Sequence, residues 1–229
     1  MTAKKIVMEL NPRVTLLGGV LAIVAMTFTV IFISTAVLFN ATSPLRPWFF
    51  SIFVFPSPNF GFSILDRYLS ELGAGPTSGP IYNYGLMITG ILSIPVFPIL
   101  RRLLERKRVA IGATVVGVAG SIALIGVGIF PMYVGVFPAL EPEHGLFSFA
   151  FFALIGLAII LASYAMYSSE IFPKAISWFG VIVIVVDIIL AILGIPAAEW
   201  STTTLFVIWV YVVGIQMLRE RNVTKIRKT

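Results

Sequence analysis

The chain has 229 residues, 59% hydrophobic and only 11% charged, with a formal net charge of +6. A soluble domain carries about 25% charged residues, so this composition argues against a soluble globular protein, a disordered chain and a nucleic-acid binder. What it fits is a polytopic membrane protein. A membrane-crossing helix needs about 20 apolar residues, because it rises about 1.5 Å per residue through about 30 Å of hydrocarbon. Six segments reach that length: residues 16–39, 81–100, 109–130, 145–167, 175–195 and 201–218.

The first segment follows Lys4, Lys5 and Arg13, and no charge occurs again before Arg46. That run is far longer than the apolar core of a signal peptide, about 7–15 residues, so it reads as a retained span. The connection over residues 40–80 is long for a helical bundle. Its apolar stretch 48–55 is too short to cross and reads as an aromatic interfacial segment. Ser63 followed by Asp66 has the form of a capping box. Ile64, Leu65, Tyr68, Leu69 and Leu72 share one helical face, Asp66, Arg67, Ser70 and Glu71 the other, and Gly73 is a stop. Residues 64–72 are therefore expected to form a short amphipathic helix on the membrane surface.

In the second span, Pro95 and Pro98 remove backbone donors and predict a kink. The third carries Ala113, Gly117 and Ser121 at intervals of four, with Gly112 and Gly120 alongside. Such small residues let helices approach closely, which makes this span the expected bundle centre. The fifth contains Asp187, the one charge inside any of the six segments. An acid at that depth normally faces a bundle or a wet cavity. Counting depth from the helix ends places Thr89 and Ser121 near its level, and one of these hydroxyls, or a water between them, is expected to contact it.

Orientation follows from Lys and Arg. Residues 4–13, 101–108, 174 and 219–228 hold fourteen of the sixteen, and only Arg46 and Arg67 fall on the other side. The positive-inside rule then puts both termini in the cytoplasm of a multi-pass cell-membrane protein. Asp66, Glu71, Glu141, Glu143 and Glu199 gather on the outer side with His144, the only histidine. Asp66, Ser70, Glu71, His144 and Glu199 are candidates to line an outward-facing polar pocket, with Asp187 as its floor. His144 with Glu141 and Glu143 is a conceivable metal group, although the spacing matches no metal motif. With no cysteine, one histidine and no phosphate-cradling glycine loop, no cofactor is expected. Trp48, Tyr82, Tyr84, Tyr133 and Trp200 at the outer boundary, and Tyr167 and Trp178 at the inner one, read as interfacial belt residues.

The run Asp66-Arg-Tyr-Leu-Ser70-Glu71-Leu-Gly73, then Asn83-Tyr-Gly85, Phe137-Pro138, His144-Gly145 and Glu199-Trp200, resembles a family of prokaryotic six-span proteins known as domain of unknown function 998. The resemblance covers about residues 14–218. It implies a six-helix fold with these motifs on one side, and it implies no activity, substrate or cofactor. A more limited likeness, in span count and the long first outer loop, is to FRAG/DRAM/Sfk-type six-span proteins. A ceramidase- or progestin-receptor-like hydrolase would need several histidines at helix ends.

The expected fold is therefore all-α: a single membrane domain of six transmembrane helices with a surface helix in the first outer loop. The leading functional expectation is a pocket for a lipid headgroup or small ligand, or a subunit of a larger membrane assembly. Membrane lipids are the expected partners, with a homo-oligomer or larger complex as a further expectation and no nucleic acid. Two alternatives stand beside it. One is a membrane-embedded lipid hydrolase or transferase using His144 and carboxylates. The other is a proton-coupled transporter using Asp187.

Overall fold

Backbone groups in hydrocarbon have no water to bond, so each long apolar run closes its hydrogen bonds within itself as a helix. A computed structural model describes residues 12–41, 67–132 and 141–226. These form α1 (Pro12–Ala41), a 3-10 turn (Leu69–Ala74), α2 (Ser78–Ser93), α3 (Val96–Leu103), α4 (Lys107–Ile129), α5 (Glu141–Tyr167), α6 (Lys174–Leu193) and α7 (Pro196–Ile226). No strand occurs among the described residues. With α2 and α3 taken as one span, six stretches are long and apolar enough to cross a membrane. The all-α membrane fold read from the sequence is the fold the chain adopts.

The break between α2 and α3 falls at Ile94–Pro95, where the prolines placed it. Pro95 and Pro98 have no N–H to offer the carbonyls of Ile91 and Ile94. Regular bonding resumes on either side, from Ile94 N–H to Gly90 O at 3.2 Å and from Ile99 N–H to Pro95 O at 3.3 Å. α6 stops at Gly194, whose φ of 61° is the left-handed conformation that ends a helix, and Pro196 follows at the start of α7.

Each span packs on its chain neighbours: α1 on α2, α2 on α4, α4 on α5, α5 on α6 and α6 on α7. The contact of α1 with α7 closes the ring. This corrects the expectation that the third span, α4, is the centre. A stripe of small residues sets how near a neighbour comes, not how many neighbours surround the helix. A Cβ on Gly90 of α2 would stand 2.7 Å from Ser121 O of α4, and one on Gly19 of α1 would stand 2.9 Å from Gly214 O of α7. At these two seams the backbones therefore approach closely.

The ring has an acidic end, with the 3-10 turn and the starts of α5 and α7, and a basic end, with residues 101–108, Lys174 and Arg219. The surface helix expected at 64–72 takes a different form. Residues up to Asp66, including the Ser63 capping box and the 48–55 stretch, lie outside the described residues. The remainder of the segment runs into the 3-10 turn Leu69–Ala74, with Leu69 and Leu72 buried against Ala36, Tyr82, Leu86 and Leu124. The apolar face of this segment goes into the ring, where protein contacts are available, instead of onto lipid.

Candidate functional site

Six helices in a ring leave an axial space, and the side chains here do not fill it. A cavity of about 90 Å³ remains. α1 lines it with Met26 and Thr29, α2 and α3 with residues from Tyr82 to Leu100, and α4 with Ser121, Leu124 and Val127. α5 contributes Ser148, Phe151, Phe152, Ile155 and Ile159, and α7 contributes residues from Glu199 to Val213. Along α7 that lining covers about 21 Å of helix axis.

No residue of α6 lines the cavity. Phe206 of α7 meets Phe151 and Phe152 of α5 inside the ring, with centroids 6.4 and 6.2 Å apart. These rings bridge α5 and α7 directly and leave α6 packed on their outer side.

The acidic end of the cavity is covered by the 67–74 segment, which α7 and α2 hold from both sides. Glu199 Oε2 accepts hydrogen bonds from the Ser70 N–H at 3.3 Å and the Ser70 hydroxyl at 3.2 Å. The next residue, Trp200, donates its indole N–H to Arg67 O at 3.0 Å. From α2, the Ser78 hydroxyl donates to Leu72 O at 2.9 Å and the Asn83 amide to Gly73 O at 3.1 Å. Within the segment, Glu71 pairs with Arg67 at 2.8 Å and accepts the Tyr68 N–H at 3.1 Å. The short polar motifs of the sequence are thus the parts of one latch.

Four lining hydroxyls have assigned directions. Thr29 donates to Ala25 O at 2.9 Å, so across the 2.9 Å Thr29–Thr89 contact it is Thr89 that donates. Ser121 donates to Gly117 O at 2.9 Å. His144, only 8% exposed, sits behind the wall. Its Nδ1 lies 2.8 Å from Phe130 O, an oxygen that can only accept, so Nδ1 carries the proton. In the neutral ring Nε2 then accepts from the Ser148 hydroxyl at 3.2 Å.

The expected site residues therefore divide. Ser70, Glu71 and Glu199 converge at the acidic end. His144 reaches the cavity only through Ser148. Asp66 lies outside the described residues, as do Trp48 and Tyr133, and of Glu141 only the backbone is described. Asp187 is not the pocket floor: it sits on α6, half-buried, and accepts the Thr202 hydroxyl of α7 at 2.7 Å. Thr89 and Ser121 were its expected partners by depth, but ring order places them on α2 and α4, which do not adjoin α6. Depth is readable from sequence; angular position around the ring is not.

Two belt assignments change as well. Tyr82 is 3% exposed and lines the cavity, and Trp200 belongs to the latch, whereas Tyr84, Tyr167 and Trp178 are exposed as belt residues should be. Among the described residues no group of three His, Asp or Glu side chains stands close enough to hold a metal ion. Sequence reasoning missed Thr29, Ser148 and Thr202. Their one signal is a hydroxyl inside an otherwise apolar span.

The family model described as "Protein of unknown function (DUF998)" matches residues 47–216. No curated protein and no solved structure matches the chain.

Proposed function

The chain belongs to the DUF998 family, whose function is unknown, and for it we propose a membrane protein that holds an amphiphile inside its helical ring. The apolar part occupies the cavity and the polar head lies beside Glu199 and Ser70. The observation that carries this reading is a cavity whose one charged lining residue among the described residues, Glu199, stands at one end while Phe, Leu, Ile and Val dominate the rest. Such a gradient matches an apolar chain with a polar terminus. The distribution of Lys and Arg supports an orientation with the basic end in the cytoplasm and the latch outside. The test is mass spectrometry of small molecules released from protein purified in lipid nanodiscs. Val207→Phe and, separately, Val210→Phe should each lower the co-purifying amphiphile at least tenfold. Equal material on all three proteins would remove the proposal.

One geometry favours a second reading, acyl hydrolysis or transfer. Ser148 Oγ faces the cavity 3.2 Å from His144 Nε2, and Phe130 O orients the imidazole through Nδ1. A hydroxyl, a base and an orienting group in that order form an activated nucleophile. Serine-directed fluorophosphonate labelling tests it: label on Ser148 that is lost in His144→Ala supports the reading, and no label on the wild type rejects it.

A further inference from the structure

The hydrogen-bond polarity of the cavity wall bears on the head of its ligand, an inference that rests on the amphiphile reading above. Among the described residues the lining contains a carboxylate, Glu199, and no Lys, Arg or His. A phosphate or carboxylate head would meet like charge there, with no cation among the described lining residues to offset it. The hydroxyls add no fixed donors. Thr29, Thr89, Ser121 and Ser148 each direct the single hydroxyl proton to a protein acceptor. What they leave for a ligand is lone pairs. Glu199 uses Oε2 to hold Ser70, and a carboxylate offers about four acceptor sites in all. The hydroxyls of Tyr82, Ser93 and Thr203 adapt to either role. The remaining donor on the wall, Trp209 Nε1, is buried without a hydrogen-bond partner and lies against α6, where a Cβ on Gly180 would stand 2.6 Å from it.

We infer that the ligand is an apolar chain ending in a hydrogen-bond donor, an alcohol or a protonated amine, and not an anionic lipid. The lining runs about 21 Å along α7, long enough for an extended octyl chain. An octyl chain is therefore a suitable probe. The alcohol and the amine share the donor chemistry and differ in charge, so Glu199 distinguishes them.

The experiment uses the full chain in lipid nanodiscs and four terminally trifluorinated octyl probes: amine, alcohol, carboxylate and phosphate. Bound signal is followed by fluorine NMR, with empty nanodiscs as background. Amine or alcohol should bind saturably, at least tenfold tighter than carboxylate and phosphate. Glu199→Gln should remove any advantage of amine over alcohol; an amine advantage that survives it overturns the role of Glu199. Val207→Phe and Val210→Phe should each suppress the bound signal. If carboxylate or phosphate binds as tightly as the amine and both cavity-filling variants block it, the donor-head inference fails and the amphiphile reading stands. If no probe gives a saturable signal, the amphiphile reading itself fails.

Discussion

At the basic end the ring is shut by apolar side chains: Leu100, Leu103, Leu104, Met166, Phe172 and Met217 are all 4% exposed or less. Cations finish that end, with Arg106 over the Tyr164 ring at 4.3 Å and Lys174 over Tyr167 at 5.2 Å. The acidic end is closed by a piece of chain held through directed bonds, each to a particular carbonyl, N–H or carboxylate. The contrast separates two kinds of closure. Apolar packing is non-directional, and it is lost only when many contacts separate together. A latch of separate hydrogen bonds, each worth about 0.5–1.5 kcal/mol, gives way one bond at a time. The latch also lies over the part of the cavity where Glu199 stands, so on the proposed function the acidic end is where a ligand enters.

Mutations can break or sharpen this contrast. The largest effect is expected at the packed end: Phe172→Ala should cost about 3–5 kcal/mol, as truncation of a buried phenyl does. Reversible unfolding of the protein in mixed micelles measures it, and amide exchange over residues 67–74 should stay at the wild-type rate. Faster exchange there would show that the two closures are coupled. At the latch, Glu199→Ala should cost about 1.5–3 kcal/mol, the range for hydrogen bonds to a charged group. It should also speed exchange at Leu69 to Leu72 while leaving residues 100–104 protected. Trp200→Phe, which removes the bond to Arg67 O, should cost about 1 kcal/mol. The smallest effect belongs to Asp187→Asn. An amide oxygen can still accept from Thr202, and α6 lies outside the cavity, so octyl-probe affinity should stay within twofold of wild type. A tenfold loss would put Asp187 in the ligand path after all.

Particular residues show how far the sequence could be read. Pro95 and Pro98 announced the break in the second span because a missing N–H is a local fact. The gathering of Glu71 and Glu199 at one end followed from the alternation of crossings. The motif around Ser70 was legible as a unit, but its role was not. Its amphipathic face implied lipid contact, and only the ring supplied the protein surface that buries Leu69 and Leu72. His144 and Asp187 stood out as rare polar groups, yet their partners, Ser148 and Thr202, are ordinary hydroxyls that composition cannot single out.

Hydropathy and run length determined the six helices and their alternation, because the energy of a peptide group in hydrocarbon depends only on the segment that carries it. The tertiary structure decided which faces meet. The closure of α1 onto α7, the exclusion of α6 from the cavity and the capture of the 67–74 segment by Glu199 and Trp200 all depend on packing between residues far apart in the chain. In lipid that packing is set by shape and by a few polar bonds; a stripe of small residues marks where a helix can be approached closely, not which helix approaches it.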